Sequence, residues 1–340
     1  MEYETLCLPA DEKSLQMAAD LFKKGELVAF PTETVYGLGA NALDEAAVRR
    51  IFAAKNRPAD NPLIVHVAFQ EQLDGLCEVN ENAKKLMAAY WPGPLTLLLP
   101  RKKIIPDVVT AGLASVGVRM PSHPVAHEML KICGLPIAAP SANLSTRPSP
   151  TTAQHVLEDM NGRIPLILDG GACDVGVEST VLDLTHETPV VLRPGAITPA
   201  MIAKVCGSAS VADSVMRPLK EGEAAPSPGM RHKHYAPRGK MTILRGDEQR
   251  VIEAVKKAYD ASENACILAM TQHISAYGDR RVMDMGANDA EIAHNIFALL
   301  RRADELHIDR LFAEGVDSTD VGLAVMNRMA RAAAFDIIEE

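Results

Sequence analysis

The sequence has no CxxC pair, and its six cysteines (Cys7, Cys77, Cys133, Cys173, Cys206, Cys266) stand singly, away from any Cys/His cluster at zinc spacing. That excludes a zinc ribbon or a dithiol redox motif and makes a reducing cytoplasm the expected setting. No run approaches the ~18 consecutive apolar residues that span a bilayer, and MEYETLCLPADEK at the start lacks the basic and apolar stretches of an export signal. Positive charge is in deficit: 35 Lys and Arg against 44 Asp and Glu leave a formal net charge of -9. Broad wrapping of nucleic acid is therefore not expected, and any polyanion site must be local. A Walker-type GxxxxGK and a GxSxG elbow are both missing, which removes the familiar phosphate cradle and hydrolase nucleophile. What the 340 residues do contain, 47% apolar and 23% charged, suits two ordinary globular domains.

Leu15, Ala18, Leu21 and Phe22 recur at helical spacing until Gly25, and the apolar run 27–30 then stops at Pro31. This predicts a helix followed by a buried strand. The alternation continues, with helices over 45–55, 81–90, 124–133 and 153–160 and strands over 62–67, 95–99, 116–120, 136–139 and 165–168. Two β-rich runs within 178–192, split by THETP, predict a hairpin and hence a mixed sheet in an α/β protein. The pattern weakens between 200 and 240, where PSPGMRHKHYAPRGK (226–240) is basic and without acid. Strands over 241–244, 266–270 and 309–313 and helices over 249–259, 290–306 and 321–334 then make a second α/β unit. The expected division is 1–200, a linker at 201–239, and 240–340.

Gly37-Leu38-Gly39-Ala40-Asn41-Ala42 formally matches a dinucleotide fingerprint, but PTETVY separates it from the preceding strand and no helix follows directly, so a phosphate turn is not expected there. More informative are the polar segments that follow short strands: 31–34, 55–63, 118–121, 140–151, 176–180 and 192–195. They carry the cations Lys55, Arg57, Arg119 and Arg193, with Thr34, Asn61, Ser141, Asn143 and Ser179 as hydroxyl and amide donors. Ligand sites gather at strand ends of α/β sheets, and this inventory suits an anionic ligand such as a nucleoside triphosphate. Singly, each residue is ordinary: an arginine after a strand is usually a solvated charge, and His66 inside LIVHV reads as a core histidine. Jointly they point to a pocket.

In order along the chain, PTETVYGLGANA, KNRPADNPL, PSANLSTRPSPT, GVESTV and LRPGAI resemble the signature segments of the YrdC-type threonylcarbamoyl-AMP synthases. SPGMRHKHYAP and GLAVMNRMARAA further resemble the two-domain branch of that family. The resemblance implies a YrdC-like twisted, open mixed sheet with helices around a basic cavity, then a basic lid and a smaller Rossmann-like α/β domain. It implies that L-threonine, bicarbonate and ATP, with Mg2+, yield threonylcarbamoyl-adenylate and pyrophosphate. The product would pass to a tRNA threonylcarbamoyltransferase that modifies the adenosine beside the anticodon. Position by position, Thr34, His66, Arg119, Ser179 and the backbone of Ala139 would hold threonine. Lys55, Arg57, Asn61, Ser115, Ser141, Asn143, Ser149, Arg193 and Tyr235 would hold ATP, with Lys55 and Arg57 also offsetting charge in the reaction. No protein-held metal, no membrane contact and no strong direct grip on nucleic acid are implied, and a cytoplasmic monomer is expected. Thr146 stands where the family usually has glycine, so the loop before Ser149 is expected to differ, and His232 stands where tyrosine is frequent.

Two other readings keep the same pocket. One is a carbamoyl-adenylate-forming carbamoyltransferase, which usually comes with acylphosphatase and zinc-finger segments not present here. The other is an RNA-binding module with a basic concavity, which salt-dependent tRNA binding without turnover would identify.

Overall fold

The computed structural model describes residues 3–217 and 235–340. Among these, 3–145 and 149–215 form one compact unit and 146–148, 216–217 and 235–340 another. The proposed lid therefore falls largely, His232 included, on residues outside those described.

In the first unit, helix α1 (Glu12–Lys23) starts where Asp11 and Ser14 satisfy each other's backbone N–H groups, and it buries Leu15, Ala18, Ala19 and Phe22. Helix α2 (Glu45–Lys55) is capped by Asp44 and ends at Asn56, whose left-handed φ of 51° turns the chain into the KNRPADNPL loop. The helices cover a sheet of eleven strands: β1 (Leu6–Pro9), β2 (Val28–Phe30), β3 (Gly37–Asn41), β4 (Ile64–His66), β5 (Leu95–Pro100), β6 (Ser115–Arg119), β7 (Ile137–Ala139), β8 (Leu166–Asp169), β9 (Thr180–Asp183), β10 (Val190–Arg193) and β11 (Ser210–Val211). Their order is β1-β8-β2-β3-β7-β4-β6-β5-β9-β10-β11. Pairings are mixed: β4 runs parallel to β6 but antiparallel to β7, and β9 and β10 form the predicted hairpin.

The glycine-rich stretch is not a turn but strand β3, paired antiparallel with β2. A Cβ at Gly39 would lie 2.8 Å from Ile137, 2.9 Å from Phe30 and 3.0 Å from Phe22, so glycine there serves close packing against the core rather than a phosphate. Helix Pro199–Cys206, unpredicted, has a Thr198 cap and proline in its first turn.

The second unit is a wholly parallel five-stranded sheet: β12 (Lys240–Arg245), β13 (Ala265–Met270), β14 (Val282–Gly286), β15 (Arg310–Glu314) and β16 (Ile337–Glu339), in the order β14-β13-β15-β12-β16. Helices Glu248–Asp260, Asp289–Glu305 and Asp320–Ala332 accompany it, each near its expected span. No helix among the described residues is long and apolar enough to cross a membrane.

Candidate active site

Register brings the first site residues together. Parallel pairing of β4 and β6 sets His66 opposite Arg119 at the ends of both strands, and β7 lies against β4 with Ala139 facing Ile64. The PTET turn is built by Thr32, whose Oγ1 accepts from the N–H groups of Thr34 and Val35 (3.2 Å each) and donates to Val35 O at 2.6 Å. That turn presents Thr34 Oγ1 to Arg119, which donates to it from Nη1 at 3.0 Å. Arg119 also donates from Nε to Gly93 O (3.3 Å), and its Nη2 lies 2.8 Å from Glu33 Oε1. Burial opposes ionisation of Glu33, but the charge and hydrogen bonding of Arg119 outweigh it and hold the carboxyl below its ordinary value.

Ser179 and Arg193 form a second group. Arg193 Nε and Nη2 donate to Ser179 O at 3.1 and 3.0 Å, and Nη2 reaches Ser179 Oγ at 3.2 Å. Thr96 Oγ1 shares a hydrogen bond of 2.8 Å with Ser179 Oγ. This group adjoins the first, since Gly93 O accepts from Arg119 while the next carbonyl, Pro94 O, accepts from Thr180 N–H.

Among the residues that the resemblance assigns to ATP, Lys55 leaves the end of α2 only 2% exposed. Its Nζ donates to Ser141 O, to Asn143 O at 2.6 Å and to Asn143 Oδ1 at 3.4 Å, while Ser145 N–H donates back to Lys55 O. Lys55 thus folds the PSANLS loop around itself, and Ser141 Oγ closes the SxN pair by donating to Asn143 Oδ1 at 2.5 Å. Arg57 lies over the Phe52 ring (5.7 Å) and donates from Nη2 to Asn61 O at 3.0 Å. The Asn61 side chain is 1% exposed, yet neither its oxygen nor its nitrogen has a partner among the described residues. Ser115 shares a groove with Pro62, Leu63, Ile64, Leu98 and Gly117 at the opposite end of β6 from Arg119. Ser149 Oγ donates to Glu178 Oε1 at 2.5 Å, both buried. Thr146 does take a left-handed φ of 76°, the conformation in which glycine would be unstrained. Tyr235 belongs to the second unit, where its ring lies 5.0 Å from that of Phe297 and 5.9 Å from the Arg328 guanidinium carbon.

Backbone bonds tie these segments together. Val175 N–H donates to Glu33 O, Tyr36 N–H to Pro150 O and Ala142 N–H to Tyr36 O. Participants outside the expected site residues include Glu33, Thr96, Glu178 and Gly195, where a Cβ would lie 2.5 Å from Thr180 N. The two acids lie within quoted motifs, but a site sought for its cations draws attention away from carboxylates. Gly195 matters by its lack of a side chain, which no charge pattern reports.

Burial, reinforced by the nearby Arg119 charge, pushes His66 down to about 3, so its imidazole is neutral at physiological pH. Unfolded, it titrates at about 6.5, so the unfolded chain binds the extra proton first. Its contribution to stability is complete above about pH 6.5 and is lost as pH falls from there toward 3, at up to about 1.4 kcal/mol per unit. Thermal melts of wild type and His66→Gln from pH 7.5 to 4.5 should therefore converge as acid is added. Parallel curves would refute the neutral buried imidazole.

Comparison with known proteins bears on this geometry. A family model described as "Telomere recombination", covering Sua5, YciO and YrdC, matches residues 20–195. A second, described as "Threonylcarbamoyl-AMP synthase, C-terminal domain", matches 197–334. The threonylcarbamoyl-AMP synthase of Pyrococcus abyssi is 46% identical over 97% of this chain and 96% of its own. That of Bacillus subtilis is 44% identical over the same shares. This chain belongs to the threonylcarbamoyl-AMP synthase family. It has the family's two-domain form and is an enzyme of that class. The crystal structure of P. abyssi Sua5 complexed with L-threonine superposes with a TM-score of 0.90 at 43% identity, covering 100% of both chains. Escherichia coli YciO matches with a TM-score of 0.51 at 25% identity, covering 57% of this chain and 96% of that one.

Proposed function

We propose that this protein condenses L-threonine, bicarbonate and ATP into threonylcarbamoyl-adenylate and pyrophosphate, in the cytoplasm, for hand-over to a tRNA threonylcarbamoyltransferase. The observation that carries this reading is the convergence of Arg119, Thr34, His66 and Ser179 at adjoining strand ends, built by segments that share backbone bonds with the Lys55–Asn143 loop. Arg119 and Ser179 suit the threonine carboxylate and Thr34 its polar groups. Neutral His66 can orient substrate without adding charge. Arg57, Asn61, Ser115, Ser141, Asn143, Ser149 and Arg193 are assigned to ATP.

The reaction brings one anion toward another: a threonine carbamate oxygen attacks the α-phosphorus and pyrophosphate leaves. Two unit charges ~4 Å apart repel by ~4 kcal/mol at an effective dielectric of 20, and Lys55, Arg57 and Arg193 oppose that repulsion. Such in-line displacement needs alignment more than a protein nucleophile. Among the described residues no group of three or more His, Cys, Asp or Glu could hold a metal ion. Mg2+ would accordingly be held mainly by phosphate oxygens, supplying charge neutralisation there.

The decisive test is pyrophosphate release from ATP with threonine and bicarbonate present or omitted singly. Release must require both; release without threonine sinks the proposal. The unpartnered Asn61 carboxamide yields a second expectation. If it awaits the nucleotide, Asn61→Leu removes a buried polar group that costs about 1–3 kcal/mol when unsatisfied, so the empty enzyme keeps or gains stability. ATP affinity should fall at least about tenfold, the loss of one or two hydrogen bonds. A lower melting temperature with unchanged ATP affinity would make Asn61 structural.

A further inference from the structure

The PTET turn carries a charged residue that the reading above does not use. Glu33 is buried beside Arg119, with side-chain exposures of 7% and 4%, and Oε1 lies 2.8 Å from Nη2. No well-aligned hydrogen bond among the described residues reaches either Glu33 oxygen, and Nη2 itself makes none. The contact is thus mainly one of charge, while Thr34 and Gly93 orient the guanidinium through Nη1 and Nε. A guanidinium has five donors, and here the Nη2 pair remains turned toward a carboxylate rather than locked onto it.

We infer that Glu33 is the resident counter-ion of the threonine subsite, a positioning residue that neutralises Arg119 in the empty enzyme and competes with the substrate carboxylate for it. The inference rests on the proposed function. A buried arginine without a counter-charge is costly, so some carboxylate must face Arg119 before threonine arrives. When threonine binds, two carboxylates share one guanidinium, and their mutual repulsion subtracts from affinity. Glu33 thereby keeps the empty fold stable while setting threonine binding looser than the arginine alone would make it. The same sharing would ease release of a product that retains the threonine carboxylate.

Two effects of Glu33→Gln follow, with opposite signs. The variant keeps volume and the Thr34 and Gly93 tethers but loses the competing charge. Calorimetric titration of the full chain with L-threonine, without ATP, should show Kd falling by about tenfold, and the melting temperature should drop without threonine yet recover at saturating threonine. A purely structural glutamate would give lower stability with unchanged or weaker binding, and that result overturns the inference. Should Glu33→Gln fail to accumulate, Glu33→Asp retracts the charge by one methylene and should tighten binding by a smaller factor. Unchanged or weaker binding in that variant likewise overturns it. Wild-type pyrophosphate release that needs no threonine would instead defeat the underlying functional reading, so the two failures are distinguishable.

Discussion

Arg119→Met is expected to lose both threonine-dependent turnover and stability, and the stability loss should grow with pH. The side chain joins Thr34, Gly93 and Glu33, so its removal empties the centre of the proposed threonine subsite. A carboxylate bound through a charge-assisted fork loses about 3 kcal/mol when the fork is removed, roughly 100-fold in threonine affinity or in kcat/KM for threonine. The fold suffers separately, because Glu33 is then buried without its counter-charge, a break worth about 3–5 kcal/mol.

The pH dependence distinguishes this from simple loss of packing. In the wild type Glu33 is held below the ordinary carboxyl range, so its contribution is present at neutral pH and lost as pH falls through that depressed value. In Arg119→Met the opposing charge is gone, and burial, the strongest influence on this carboxyl, is expected to outweigh the remaining backbone hydrogen bonds and raise it above its unfolded value. The native state then binds more protons than the unfolded one, so stability falls as pH rises through that window. Melts at pH 5 and pH 8 should show the variant closest to wild type at the lower value. Adding Glu33→Gln should abolish the slope and recover much of the stability but none of the activity. A pH-independent deficit would show that the pair does not govern the site's energetics.

Why some of this architecture was legible in the sequence and some not comes down to which signals a chain displays locally. Helices α1 and α2 carry apolar periodicity and aspartate caps, and β4, β5 and β6 are apolar runs bounded by turn residues, so their spans could be read closely. Strand β3 could not, because GLGAN has few strand-forming residues; its glycines answer to Ile137, Phe30 and Phe22, which lie elsewhere in the chain. The edge strands β1, β14 and β16 were also missed, each being short or low in β-branched residues. Within the candidate site, cations beside turn residues marked segments that strand pairing and backbone bonds tie together, and the ordered motifs assigned the family. Pairings such as Arg193 with Ser179 or Ser149 with Glu178 are long-range and leave no local trace.

The largest effect from an inconspicuous change is expected at Gly195. Its φ is not in the left-handed region, so conformational freedom is not the reason for glycine. Space is: a Cβ would stand 2.5 Å from Thr180 N and 2.8 Å from both Glu178 O and Thr180 Oγ1. Backbone cannot yield as a flexible side chain would, so Gly195→Ala must push the LRPG turn away from the GVEST strand start. That displacement strains the Arg193 bonds to Ser179 and the Thr180 Oγ1 bond to Ile197 O at 2.7 Å. Overpacking of this kind costs about 1–3 kcal/mol, and the broken hydrogen bonds add roughly 1 kcal/mol each. Turnover should drop by at least about 100-fold, since even ~1 Å of misplacement at a reacting centre can cost that much. Gly171→Ala is the control: it has a left-handed φ of 86° but open space around its Cβ, so it should carry backbone strain of about 1–2 kcal/mol without moving the site. Pyrophosphate release that fell equally in the two variants would mean that close approach at Gly195 does not align Ser179 and Arg193.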